Sequence, residues 1–190
     1  MFEMRFHGRG GQGAVMASKI LAKALSEEGH HVKAIPSFGF ERRGAPVEAF
    51  LRFGDTEIRQ VTNIYNPDCI VCLDPTLAKS VDIFQGTNAN AVLIQATKKE
   101  VDQLEIPDNV ATVGICDAFG LAMELIGRPI TNTIMLGVFA KTTGYVSLAS
   151  LNKAMESVAF RDAALDKNIQ AVNRGYEETR VVELKGGAHD

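Results

Sequence analysis

No stretch of this 190-residue sequence is apolar for long enough to cross a bilayer, because polar residues interrupt each short hydrophobic run. No secretory leader opens it either: the chain starts directly with the strand-like FEMRFHG. Cysteine is scarce, at three residues, which together with the missing leader points to a reducing, cytoplasmic setting. A surplus of charge is also lacking. Twenty Lys and Arg against 23 Asp and Glu leave a formal net charge of −3, which gives no support for nucleic-acid binding, where a basic face is the rule. No internal repeat or linker divides the chain, and its length suffices for one domain with a sizeable core.

Catalytic constellations are missing too. No Ser/His/Asp set or nucleophile elbow can be assembled. Cys69-x-x-Cys72 has the spacing of a metal or redox pair, but it lies in DCIVCLD, which reads as a strand. Residues three apart on a strand point to opposite faces, and no histidine or second cysteine pair supports them. The expectation is buried, inert thiols, with Cys116 elsewhere, and no metal site or iron–sulfur cluster, which would need about four ligands. His7, at a strand end, reads as a hydrogen-bonded structural group ahead of a catalytic one.

What is present is an alternation of strands and helices. Residues 3–7 read as a first strand. Val15, Ile20, Leu21, Ala24 and Leu25 then recur at helical spacing up to about Glu28, where Gly29 stops the helix. HHVKAIPS is a second strand. VEAFLRFGDTEIRQV (47–61) alternates apolar and polar residues on both sides of Gly54-Asp55, as an antiparallel hairpin would. Strands follow at 68–74, 90–96 and 111–118, and helices at about 117–127, 132–143, 148–158 and 162–179, with Thr131 or Asn132 placed to cap the second of these. The expected architecture is a single α/β domain over 1–183, a mixed, mostly parallel sheet flanked by helices with an antiparallel hairpin, and a flexible tail over 184–190.

Two segments carry the functional signal. FHGRGGQGAV places Gly8, Gly10 and Gly13 in the pattern G-x-G-x-x-G between a strand and a helix, the context for phosphate binding at a helix N-terminus. A dinucleotide site also wants an acid about 20 residues on, at the end of the second strand. That strand ends in AIPSFG, without one. The loop therefore reads as contacting some ligand or partner, or as a turn that only packs strand on helix, with a dinucleotide site least favoured. The second segment, PSFGFERRGAP (36–46), is too rich in glycine and proline for a helix or central strand. It sets Glu41, Arg42 and Arg43 in a loop on the same sheet edge, where paired guanidinium groups can grip a phosphate or carboxylate. A solvated surface loop is the alternative.

RFHGRGGQGAV, FGFERRGAPVEAFLR, IYNPDCIVCLDPTL and RPITNTIMLGVFAK together resemble the gamma subunit of pyruvate:ferredoxin oxidoreductase, a domain shared by 2-oxoacid:acceptor oxidoreductases. The resemblance runs from about residue 2 to residue 180. ERRGAP and DPTL lean toward the pyruvate and branched-chain members. The resemblance implies a subunit, inactive alone, of a pyruvate:ferredoxin oxidoreductase that converts pyruvate and coenzyme A to acetyl-CoA and CO2 and passes electrons to ferredoxin. A 2-oxoisovalerate or other 2-oxoacid enzyme is one alternative, and a structural subunit without ligand contacts is another. The implied partners are alpha, beta and delta subunits. The implied cofactors are thiamine diphosphate with Mg2+ and [4Fe-4S] clusters, carried by those partners, since this sequence has no thiamine-diphosphate signature of the GDG…NN type. No cofactor is expected to be bound wholly by this chain. The residues implied to face coenzyme A or partner subunits are Gly8, Arg9, Gly10, Gly11, Gln12 and Gly13 with Glu41, Arg42 and Arg43.

Overall fold

The computed structural model describes residues 1–36, 43–158 and 162–184. Its elements in chain order are β1 (Phe2–Arg9), α1 (Ala14–Glu27), β2 (His31–Pro36), β3 (Pro46–Gly54), β4 (Cys69–Cys72), β5 (Ala91–Ala96), β6 (Val110–Cys116), α2 (Ala118–Leu125), α3 (Asn132–Thr143), α4 (Leu148–Val158), α5 (Asp162–Glu177) and β7 (Arg180–Glu183). The strands form one sheet in the order β2-β3-β1-β4-β5-β6-β7. β1, β4, β5 and β6 are mutually parallel at its centre, while β3 runs antiparallel between β1 and β2, and β7 runs antiparallel on β6. The mixed α/β architecture is the one the alternating pattern predicts.

The antiparallel hairpin lies elsewhere than expected. β3 ends at Gly54, and 57–61 form no strand. The partner of β3 is instead β2, with Val32 opposite Phe53 and Ile35 opposite Phe50. Residues 47–53 belong to β3, whereas Ile58 is half-buried and Val61 exposed outside any strand. A four-residue strand, β7, not expected from the sequence, follows the last helix. Leu184, read as the start of a tail, continues it by donating its N–H to the carbonyl of Ala111; residues 185–190 lie outside the described residues.

Strand alternation sends side chains into two separate cores. Met4, Phe6, Leu51, Phe53, Val71 and Ile94 pack against all five helices on one face. Ile70, Leu93, Val113 and Ile115 point the other way and are closed over by Leu77, Ile83, Phe84 and Leu104 from irregular segments. Burial of each such side chain contributes roughly 1.5–3 kcal/mol. The sheet is thus helical on one side and loop-covered on the other. Buried arginines hold the loops down. Arg52, 3% exposed, ion-pairs Glu3 and donates to the carbonyls of Thr62 and Asn63. Arg5 donates to those of Ile83 and Gln85.

Candidate functional site

The strand order places a topological switch between β1 and β4. From β1 the chain leaves through α1 on the helical face toward the β2 edge. From β4 it leaves through the irregular 73–90 segment on the opposite face toward β5. The two connections diverge at the carboxyl ends of these strands, the position at which open α/β sheets bind ligands. The Gly-rich loop lies at that point.

The loop is built by its own backbone. The Gln12 N–H donates to the Arg9 carbonyl at 2.9 Å to close the turn. Gly13 is the N-cap residue of α1 with φ +80°, and a Cβ there would lie 2.4 Å from Nδ2 of Asn132 at the start of α3, so both backbone and space demand glycine. No side chain caps α1, so its first-turn N–H groups and the positive end of its dipole have no side-chain acceptor. Gly11, with φ +92°, has open space beside it, whereas Gly8 packs against Leu73 and Ala14. Gly10 joins the other segment: its N–H donates to the Ala45 carbonyl at 2.8 Å, and the Gly44 N–H donates to the Gly10 carbonyl at 3.1 Å. Gly10 also bridges Arg43, which is exposed. The structure therefore brings the Gly-rich loop and the start of GAP side by side. Glu41 and Arg42 lie outside the described residues.

Asp74, one residue past Leu73 beyond β4, ties these pieces together. It is 6% exposed. Its Oδ2 accepts from Arg9 Nε at 3.1 Å and Gln12 Nε2 at 2.9 Å; its Oδ1 accepts from the Thr76 N–H at 2.9 Å and the Thr76 hydroxyl at 2.6 Å. Burial pushes its carboxyl pKa up. The hydrogen bonds from Thr76 and Gln12 and the charge of Arg9 outweigh this, and the net direction is down. Arg9 spends its remaining nitrogens on the Gly44 carbonyl and the Thr76 hydroxyl, and Gln12 Oε1 accepts from the Arg9 N–H. The side chains of Arg9 and Gln12 are thus engaged inside the chain as a clasp, and the free surface of the loop is backbone. Asp74 was not singled out in the sequence. Its local signal is D-P-T, an N-cap with proline at N1, which reveals the cap and not the clasp.

The expected caps of α3 serve otherwise. Thr131 donates its hydroxyl to the Leu73 carbonyl at 3.0 Å, fastening α3 beside Asp74, and makes no cap bond. Asn132 reaches the Gly13 carbonyl at 3.4 Å.

His7 is 2% exposed, beneath the loop. Burial, with the neighbouring Arg5 charge, pushes its pKa down to about 3. The ring is therefore neutral at pH 7: Nε2 accepts from Arg5 Nε at 2.9 Å, which leaves the proton on Nδ1, 3.5 Å from Glu48 Oε1. The contact with Glu48 is not an ion pair, and His7 is a structural group. The thiols separate as strand geometry requires, Cys69 into the helical core and Cys72 into the other. Burial raises the pKa of Cys69 and pushes Cys72 and Cys116 up to about 12, so none is a thiolate at pH 7. Among the described residues no three His, Cys, Asp or Glu converge as a metal site, and these residues do not fit an iron–sulfur cluster or Mg2+. No helix among them is long and apolar enough to cross a membrane.

A dinucleotide does not fit either. With β3 inserted between β1 and β2, the end of β2 stands two strand spacings, about 10 Å, from the strand that carries the loop. An acid there would be displaced from the ribose position of the dinucleotide fold, where the two strands are neighbours.

Residues 3–178 match the family described as pyruvate ferredoxin/flavodoxin oxidoreductase. The chain is 62% identical over 185 residues to the NADH-dependent phenylglyoxylate dehydrogenase subunit gamma of Aromatoleum evansii, covering 97% of each chain. It is 45% identical over 186 residues to the pyruvate/ketoisovalerate oxidoreductases common subunit gamma of Thermococcus kodakarensis, covering 97% of this chain and 100% of that one. The crystal structure of pyruvate oxidoreductase subunit PORC from Thermotoga maritima has the same fold, with a TM-score of 0.82 at 38% identity over 96% of this chain and 98% of that one. With its switch-point loop, its fold and its near full-length similarity to gamma subunits, the chain belongs to the pyruvate ferredoxin/flavodoxin oxidoreductase family as a gamma-type subunit.

Proposed function

We propose that this chain is the gamma subunit of a multi-subunit, coenzyme A-dependent oxidoreductase that decarboxylates an aryl 2-oxoacid of the phenylglyoxylate type and delivers the electrons to NAD. The observation that carries this reading is the 62% identity to the phenylglyoxylate dehydrogenase gamma subunit, against 45% for the pyruvate/ketoisovalerate gamma subunit at the same coverage. Thiamine diphosphate, Mg2+ and the [4Fe-4S] clusters supply the decarboxylation and electron transfer and reside on alpha, beta and delta partners. NAD likewise binds a partner, since this chain's glycine loop does not fit it. The part of this chain is to present the backbone of Gly10, Gly11 and Gly13, the uncapped start of α1, and the cations Arg42 and Arg43 to coenzyme A where the subunits meet.

Pyruvate oxidation with ferredoxin as acceptor is the second reading, favoured by the family's description and by the PORC fold. A gamma subunit named as common to pyruvate and ketoisovalerate enzymes supports placing the choice of oxoacid on other subunits. The decisive experiment purifies the complex through a tag on this chain and assays phenylglyoxylate, pyruvate and 2-oxoisovalerate with coenzyme A, using NAD and ferredoxin in turn. The expected result is the highest kcat/KM for phenylglyoxylate with NAD. Preference for pyruvate with ferredoxin selects the second reading, and activity on none of the three acids rejects both.

A further inference from the structure

On the face without α-helices, the segments 75–84 and 97–105 border a half-open cavity of about 430 Å³ beside the carboxyl end of β5. Its volume lies within the roughly 300–1,000 Å³ of small-molecule sites. None of the Gly-rich loop lines it. Gln95 and Thr97 do, as the last buried polar residues of β5 and the turn after it. Gln95 is 8% exposed, and among the described residues no protein group hydrogen bonds its side-chain amide. The side chain adjoins this cavity, so its amide is open to a ligand there. Val81, Phe84 and Leu104 supply apolar and aromatic lining. Lys79 and Lys99, both exposed, bring an ammonium group from each segment, and Asp82 and Glu105 each add a carboxylate.

We propose that this cavity binds a nucleoside monophosphate, independently of the reading above. The three parts of such a ligand meet the three chemistries of the lining. A side-chain amide has a donor and an acceptor in one plane and pairs with the complementary edge of a base, as glutamine does with adenine. Phe84 and the aliphatic groups accept the flat ring. The Glu105 carboxylate accepts from ribose hydroxyls, and Lys79 and Lys99 meet the phosphate as point charges. Two cations and two carboxylates at the rim suit a ligand with both an anionic end and hydroxyl donors better than a simple anion.

Calorimetric titration of the full chain with adenosine monophosphate tests this, with ribose 5-phosphate and inorganic phosphate as probes lacking the base. Saturable binding of the nucleotide is expected, at least about tenfold tighter than either probe, with Gln95→Leu weakening it by about tenfold or more. Because Gln95 is buried, the exposed pair Lys79→Ala/Lys99→Ala is the second variant, and it should weaken the nucleotide while the unfolding temperature stays unchanged. The proposal is overturned by no nucleotide binding, by inorganic phosphate binding as tightly as the nucleotide, or by binding that survives both variants and is lost in Arg43→Ala, which would place the nucleotide on the glycine loop.

Discussion

Asp74 shows how one buried carboxylate sets the shape of the site. Four donors from Arg9, Gln12 and Thr76 converge on it, and an asparagine there would turn an NH2 group toward donors. Losing a charged hydrogen bond of this kind costs roughly 1.5–3 kcal/mol, so Asp74→Asn should lower the unfolding temperature of the chain by about 3–12 °C in a calorimetric scan. An unchanged temperature would show that the clasp is not a stabilising element. His7 gives a pH signature. Its folded pKa of about 3 lies below the ordinary value of 6.5, so the unfolded chain binds the extra proton between those values. The stability held by the neutral ring is complete above pH 6.5 and is lost as pH falls toward 3, at up to about 1.4 kcal/mol per pH unit. His7→Gln keeps an acceptor for Arg5 and cannot titrate. Denaturant unfolding at pH 7 and pH 4.5 should show a smaller acid loss in this variant than in the parent.

At the scale of elements, the two faces of the sheet are secured by different means. Helices cover one face through apolar packing, and α1 reads directly from its periodicity because Ile20, Leu21, Ala24 and Leu25 all reach the core. The other face relies on arginines that bond loop carbonyls. Arg52→Met would leave Glu3 without its partner and the carbonyls of Thr62 and Asn63 without a donor. Breaking a buried pair by removing one partner typically costs about 3–5 kcal/mol, and urea unfolding should show a loss of that size. Limited proteolysis should also cut within 55–63 faster than in the parent. A variant with parental stability and cleavage would mean that the 55–63 segment is held by other contacts.

For the whole molecule, the description as a gamma-type subunit has a direct consequence. The purified chain alone should oxidise no 2-oxoacid and show no iron–sulfur absorption, and both should appear only with partner subunits. Turnover by the isolated chain with thiamine diphosphate and coenzyme A would contradict this. In the isolated chain, Arg43 stands exposed beside Gly10 at the switch point. If it holds coenzyme A as proposed, Arg43→Ala should raise the apparent KM for coenzyme A on the order of 10- to 150-fold and leave that for the oxoacid nearly unchanged. Loss of subunits on gel filtration, worse at high salt, would assign it to an interface instead.

The sequence by itself determined what depends on near neighbours. Hydrophobic period set the centre of α1. Alternation separated Cys69 from Cys72, and the glycines after β1 marked a turn between a strand and a helix. These effects act within a few turns of chain, so they are written in the local pattern. Only the tertiary structure decided what depends on distant partners. The alternation of 47–61 could not say that β3 would insert between β1 and β2, because strand partners are chosen by burial across the whole sheet. The short RVVE strand was hidden beside a long helix until β6 gave it an edge to bond. Asp74 reads locally as a cap, yet its role comes from Arg9, 65 residues earlier. That meeting exists because parallel pairing of β1 and β4 brings their carboxyl ends together.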